Sequence, residues 1–325
     1  MAGSRARAIG RAVDTALDRS VVLGYTSIGS ALRRRLPDWP DDPATDALAG
    51  EDVVVTGASS GLGIATAAGL ARLGARVHLV VRSLDKGEQA RAELRRQVPG
   101  AELELWRCDV SDLDDVRRFA GELRAKVSTL AAVVHNAGAM PPQRTESAQG
   151  HEMTMALHVL GPLVMSEELI EPLSAAGGRV VMVTSGGMYT VRLPAHDPEY
   201  LRGEYKPATA YARSKRVQVA LLPVLAERWG ALGVQVYATH PGWADTPGVV
   251  DSLPGFHKVT GPVLRDAEDG ADTTVWICAA EPTPESGRLW HDRRVRPEHY
   301  GPWSRGSEGD RDRIWTWVQE ATAGC

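Results

Sequence analysis

Cysteine is scarce in this chain: three in 325 residues, Cys108, Cys278 and Cys325, with no C-x-x-C spacing among them. That excludes a disulfide scaffold and a cysteine-held zinc site, and it suits a reducing compartment. Long apolar runs are missing too, and nothing approaches the roughly 20 residues needed to span a bilayer. No small-residue cleavage site follows the Arg-rich start MAGSRARAIGRAVD, so secretion is not expected. A net charge of -4 and a pI near 6.2 remove the electrostatic case for a nucleic-acid partner. Neither solenoid-period repeats nor low-complexity tracts are found. The expectation from these absences is a cytoplasmic protein with no resident metal.

What is present describes a folded chain, with 43% apolar and 24% charged residues. At about 150 residues per domain the length allows two domains, or one large α/β domain with an appendage. Residues 1–36 carry seven arginines against Asp14 and Asp18, with Ile9, Val13, Leu17, Val21, Ile28 and Leu32 at about helical spacing. Two readings of this basic amphipathic segment stand: a helix packed on the main domain, and one lying on an anionic membrane surface. An Arg-rich, acid-poor start also has the character of an organelle transit peptide. The proline-rich, acidic PDWPDDPATDALAGED that follows reads as a linker, closing an extension over residues 1–50.

From Asp52 onward strand and helix patterns alternate. Short β-rich runs stand at 52–56, 76–81, 102–106, 131–135, 179–184 and 234–239, separated by Ala-, Leu-, Arg- and Glu-rich segments of helical length. Continuous apolar strands alternating with helices indicate a doubly wound parallel sheet, Rossmann-like, covered on both faces. One domain over 51–281 is expected, followed by a Trp-rich tail, 282–325, packed on it.

The first strand runs directly into Thr56-Gly57-Ala58-Ser59-Ser60-Gly61-Leu62-Gly63 and then a helical segment. Glycines let the backbone turn sharply and approach a pyrophosphate, whose charge then meets free N–H groups at a helix N-terminus. Alone, such a loop could be a tight turn; its place between the first strand and helix of an α/β domain favours a dinucleotide. Arg82 lies 19 residues past Gly63, where a ribose 2′-phosphate needs a cation and a free 2′-hydroxyl a carboxylate. This favours NADP(H), with NAD(H) as the other option, since Asp85 offers a competing carboxylate. An arginine merely capping a strand end is the bland alternative.

Tyr211 and Lys215 stand at i and i+4 in a predicted helix, hence on one face. An adjacent ammonium favours the phenolate and makes Tyr211 usable as a general acid or base. Ser185 follows the strand 179–184, at the sheet edge where α/β proteins bind ligands, and could donate to a carbonyl oxygen. By itself Y-x-x-x-K is common by chance; its weight comes from its neighbours.

Taken in order, TGASSGLG (56–63), CDV (108–110), NAG (136–138), Ser185, YARSK (211–215) and HPGWADT (240–246) resemble the short-chain dehydrogenase/reductase family over residues 52 to about 281. VTSGGM (183–188), HPGWADTPGV (240–249), LPGFH (253–257) and SGRLWHDRR (286–294) are similar to one branch of it, whose members also carry an N-terminal extension. The resemblance implies a carbonyl–alcohol oxidoreductase with Tyr211 as acid/base, Lys215 lowering its pKa and binding the nicotinamide ribose, and Ser185 positioning the carbonyl. It assigns Gly57, Ser59, Ser60, Gly61, Leu62 and Gly63 to the pyrophosphate and adenosine region and Asp109 and Val110 to adenine. Asn136, Ala137 and Gly138 would line the cofactor, and Pro241, Gly242 and Thr246 would meet its nicotinamide end. It also suggests oligomers built on the helices around residues 158 and 211, which the extension and tail could instead cover.

Two departures from the family stand out. His158 takes the place of an asparagine that holds a water in the proton relay to the lysine; it reads either as a substitute relay or as a larger, structural side chain that weakens it. The 26 residues from Ser185 to Tyr211 form a long interval with Met188, Tyr189, Leu193, Tyr200 and Tyr205. With 243–257 these could wall an apolar pocket for a lipophilic substrate, or simply pack in the core. A dinucleotide-binding protein with weak or no turnover, acting as a sensor or membrane-surface partner, is the second functional reading.

Overall fold

The computed structural model describes residues 2–20, 22–245, 261–307 and 309–323. Thr246 and LPGFH therefore lie outside the described residues. One sheet of eight strands organises the chain: β1 (Asp52–Thr56), β2 (Arg76–Val81), β3 (Leu103–Arg107), β4 (Ala132–His135), β5 (Arg179–Val183), β6 (Gln235–Thr239), β7 (Arg288–His291) and β8 (Arg294–Arg296). Their spatial order is 3-2-1-4-5-6-7-8, parallel except for β8. The order reverses between β1 and β4, which opens a crevice at their carboxyl ends, the place where such sheets bind ligands.

The strands are apolar on both faces because helices cover both. Val53, Val54 and Val55 of β1 are fully buried, a gain of roughly 1.5–3 kcal/mol for each side chain. The flanking helices include α4 (Gly61–Arg72), α5 (Leu84–Gln97) and α6 (Leu113–Arg124). Local chemistry sets their starts: the Asp112 carboxylate accepts from the Asp114 and Asp115 amides to open α6. Among the described residues no single helix is long and apolar enough to cross a membrane.

Two segments are more integral to the sheet than their composition suggests. The sheet continues past residue 281, the expected end of the domain, because β7 and β8 come from the expected tail. Asp292 and Arg293 form the two-residue hairpin turn between them at φ 50° and 53°, the left-handed turn that matches strand twist. The extension folds as α1 (Ala2–Ser20), α2 (Val22–Tyr25) and α3 (Ser27–Arg33), and it packs on the domain. Asp14 and Asp18 point inward: Arg33 Nε donates to Asp14 at 2.8 Å, and Arg296 reaches the same carboxylate at 2.9 Å. The segment that reads as a linker is docked too, with Leu48 buried and the Trp276 indole donating to the Asp41 carbonyl.

Candidate active site

The loop after β1 and the turn after β4 are stitched together across the crevice. The Thr56 hydroxyl accepts from the Asn136 and Ala137 amides at 3.0 Å each, and Asn136 Nδ2 donates to the Thr56 carbonyl at 3.0 Å. Gly57, at φ 66°, has no room for a side chain: a Cβ there would stand 2.8 Å from Ala137 Cα. A Cβ at Gly63 would meet the Gly57 carbonyl oxygen at 2.2 Å, so Gly63 brings α4 against the loop. It does not line the cavity, contrary to the direct cofactor contact expected of it. Ser60 is extended and puts no side-chain cap on α4; its carbonyl accepts from the Gly63 and Ile64 amides, and the start of the helix is left to an anion.

A cavity of about 680 Å³ fills the crevice. It brings together Gly57, Ser59, Ser60, Gly61 and Leu62 from the loop, Arg82 from the end of β2, and Asp109 and Val110 after β3. Asn136, Ala137 and Gly138 follow β4, Pro241 and Gly242 follow β6, and Ser185, Tyr211 and Lys215 line the same space. Arg82 is exposed and makes no ion pair or hydrogen bond among the described residues, whereas Asp85 sits away from the cavity in the first turn of α5. Asp109 is held by its own turn, accepting from the Ser111 amide and hydroxyl at 3.0 and 2.7 Å.

Helix α10 (Pro207–Gly230) carries Tyr211 and Lys215, starting with proline in its first turn and running without interruption through Pro223. Lys215 Nζ donates to the Val183 carbonyl at 2.7 Å, and burial lowers its pKa to about 7. Burial raises that of Tyr211, and a hydrogen bond to Ser185 pulls it back. Ser185 lies two residues past the end of β5 and accepts from the Gly187 amide at 3.2 Å, so its own proton is available to donate.

His158 is fully buried and stands outside the cavity lining. It lies in a single π-helical turn, Ala156–Leu160, between α7 (Met153–Met155) and α8 (Gly161–Glu168). The Ala139 amide donates to Nε2 at 3.2 Å, which places the ring proton on Nδ1, 2.8 Å from the Ser214 hydroxyl oxygen. Its carbonyl accepts from Gln218 Nε2 at 2.7 Å. Both ring nitrogens are therefore taken by protein partners, which favours the structural reading of this residue, an anchor between α10 and the Gly138–Ala139 turn, over the relay.

For the aromatic loop the structure favours the second of its two readings, packing in the core. Met188 and Tyr189 are in the core, the Tyr189 hydroxyl donates to the Pro297 carbonyl, and the Tyr200 and Tyr205 rings pack on each other at 5.1 Å. None of them lines the cavity. Among the described residues its apolar wall includes Met140, Pro141, Met153 and Leu157, which sequence reasoning missed, with Ala244 from the expected 243–257 segment. Their signal was position alone, since they follow the fourth strand at the ligand-binding edge.

These residues fit a dinucleotide: a glycine cradle that a Cβ would fill, a helix start without a side-chain cap, and at the far end a cation with no partner among the described residues. The family model for short chain dehydrogenases matches residues 51–254. The chain belongs to the short-chain dehydrogenase family. It is accordingly an NAD(P)-dependent oxidoreductase acting on a carbonyl or an alcohol.

This short-chain dehydrogenase is 37% identical over 266 residues to Dehydrogenase/reductase SDR family member 12 of Bos taurus, covering 80% of this chain and 82% of that protein. The branch indicated by VTSGGM and SGRLWHDRR is that protein's. Human Retinol dehydrogenase 12 is 33% identical over 249 residues, with 75% and 78% covered. Among solved structures, a protein from Beutenbergia cavernae described as an NAD(P)-dependent gluconate 5-dehydrogenase, with bound NADP, superposes with a TM-score of 0.62. It is 25% identical, and the match covers 77% of this chain and 97% of that one.

Proposed function

We propose that this short-chain dehydrogenase is an NADP(H)-dependent reductase of lipophilic ketones or aldehydes, reversible as an alcohol dehydrogenase, with Tyr211 as its acid/base. The observation that carries the reading is the convergence of Ser185, Tyr211 and Lys215 on one cavity whose other end holds the unpaired Arg82. The NADP bound by the Beutenbergia cavernae relative supports the same cofactor. Arg82 supplies the cation for a 2′-phosphate, and the amides at the start of α4 receive the pyrophosphate. When bound, the nicotinamide supplies or accepts the hydride.

The chain's own residues supply binding, orientation and a proton. Ser185 donates to the carbonyl oxygen as negative charge develops on it, and Tyr211 transfers its proton to that oxygen. The Lys215 ammonium stabilises the phenolate left behind. His158 acts as a positioning residue, tying α10 to the turn that lines the cavity. Met140, Met153 and Leu157 favour an apolar substrate body.

The outward face of the extension supports peripheral contact with an anionic lipid surface. Ile9 and Leu23 are 65% and 50% exposed, and Arg11, Arg19 and Arg35 are exposed with them, while Asp14 and Asp18 are turned into the protein.

NADPH oxidation with a panel of ketones and aldehydes tests the enzymatic reading. Turnover by the native chain is expected; binding of NADPH with no consumption across the panel returns the alternative, a dinucleotide-binding protein without catalysis.

A further inference from the structure

The extension meets the segment that follows β6, and Arg265 beside it, through two backbone carbonyls. The Trp243 amide donates to the Tyr25 carbonyl at 2.8 Å, and Arg265 Nε donates to the same oxygen at 3.0 Å. The Gly24 carbonyl accepts from Arg265 Nη2 at 2.9 Å and from Arg33 Nη1 at 2.6 Å. On the opposite edge of the segment, the Arg265 amide donates to the Trp243 carbonyl and the Asp245 amide to the Arg265 carbonyl, both at 2.8 Å. Residues 241–245 are thus held between the end of α2 and Arg265, and Pro241, Gly242 and Ala244 of that segment line the cavity.

The fit is close. Gly242, at φ 76°, could carry no Cβ, which would stand 2.5 Å from Arg265 Nε and 2.8 Å from the Tyr25 carbonyl. The Tyr25 ring lies edge-on to His240, 4.4 Å between centroids, directly before the same segment. Asp292, at the β7–β8 turn, ties the arginines together, accepting at 2.5 Å from both Arg33 and Arg265. Arg33 and Arg265 are fully buried, so their geometry is set by protein partners and not by water.

We propose that the N-terminal extension is a built-in clamp on the nicotinamide wall, with Arg33 and Arg265 as positioning residues that fix Pro241–Asp245 through the Gly24 and Tyr25 carbonyls. This rests on reading the cavity as a dinucleotide site. The segment that looked like an appendage is then part of the binding machinery. Its influence on the ligand falls at one end, because the cavity-side residues that α2 touches are those after β6 and, through the Tyr25 ring, Gly186 beside Ser185, whereas Arg82 and the glycine loop hold the other end.

That asymmetry supplies the test. Binding of NADPH and of adenosine 2′,5′-bisphosphate, which lacks the nicotinamide half, is titrated on the full-length chain and on Arg33→Met. NADPH is expected to weaken about tenfold, the size of one lost hydrogen bond to a charged group. The bisphosphate should bind as before, and Arg33→Lys, which keeps a donor, should recover part of the NADPH affinity. Equal weakening of both ligands, or no change in either, would overturn the clamp. If Arg33→Met does not fold, Arg33→Lys and Arg33→Gln are judged by the same selective loss. Native chain that binds NADPH but reduces no carbonyl would overturn the proposed reductase and leave the clamp standing.

Discussion

The Lys215 ammonium lies 5.5 Å from the centroid of the Tyr211 ring, one turn along the same helix, with Val183 as its hydrogen-bond partner. Burial brings the lysine to about 7 while moving the tyrosine upward, so the ammonium loses its proton first as pH rises. Carbonyl reduction needs both groups protonated. Its kcat/KM, which reports the free enzyme, should therefore fall as pH rises through about 7. Tyr211→Phe should lower kcat by about 10²–10⁴. A rate profile flat from acid to alkaline pH, or an unchanged rate in the variant, would contradict this pairing.

Arg82 should decide the cofactor. Its exposed guanidinium has no partner among the described residues, so replacing it is expected to disturb the ligand and not the fold. Arg82→Asp should weaken NADPH about 10- to 100-fold, as expected for a lost charge-assisted contact, and favour NADH. Competitive titration of the two nucleotides reads the switch directly. Retention of the native preference would remove Arg82 from the site.

Acid should destabilise the fold through buried imidazoles. Burial lowers His135 and His240 to about 3 and places His158 and His291 well below the ordinary value. The unfolded chain takes up protons at about 6.5 while these four remain neutral in the fold, so their contribution is complete above that pH and is lost below it. Each removes up to about 1.4 kcal/mol per pH unit. His151, raised by the Glu199 carboxylate beside it, acts in the opposite sense. Tm should be clearly lower at about pH 5.5 than at 7.5; equal values at the two would show that the imidazoles are not held neutral.

Lipid contact should depend on the exposed apolar side chains of the extension. Ile9→Asp with Leu23→Asp introduces charge on two outward-facing side chains. Partitioning of the full chain onto vesicles containing phosphatidylserine should drop several-fold, with NADPH binding retained. Equal partitioning of native and variant chains would dismiss the membrane contact.

Much of the site could be read in order along the sequence because its parts occupy fixed places in the fold. A glycine loop after β1, a cation after β2 and Y-x-x-x-K on a helix each report a local constraint: a tight turn, a strand end, one helical face. The period of the apolar runs likewise called for a parallel sheet. His158 was different, since its role depends on which neighbours occupy its two ring nitrogens, and Ala139 and Ser214 are 19 and 56 residues away. The aromatic loop was different as well: Tyr189 suits a pocket wall or a core equally by composition, and packing against Pro297 and Tyr300 chose the core.

The extension marks the same division most sharply. Its helical spacing and basic character follow from local sequence. Whether Arg33 faces water could not, because desolvating a guanidinium is tolerable only where carboxylates from elsewhere meet it. Asp14 lies in the same extension, but Asp292 arrives from a hairpin 259 residues away, and only the assembled sheet brings that turn to α3. The sequence by itself determined the elements and marked the candidate cofactor loop and catalytic side chains; the tertiary structure decided that a basic appendage is buried behind the residues after β6 that line their cavity.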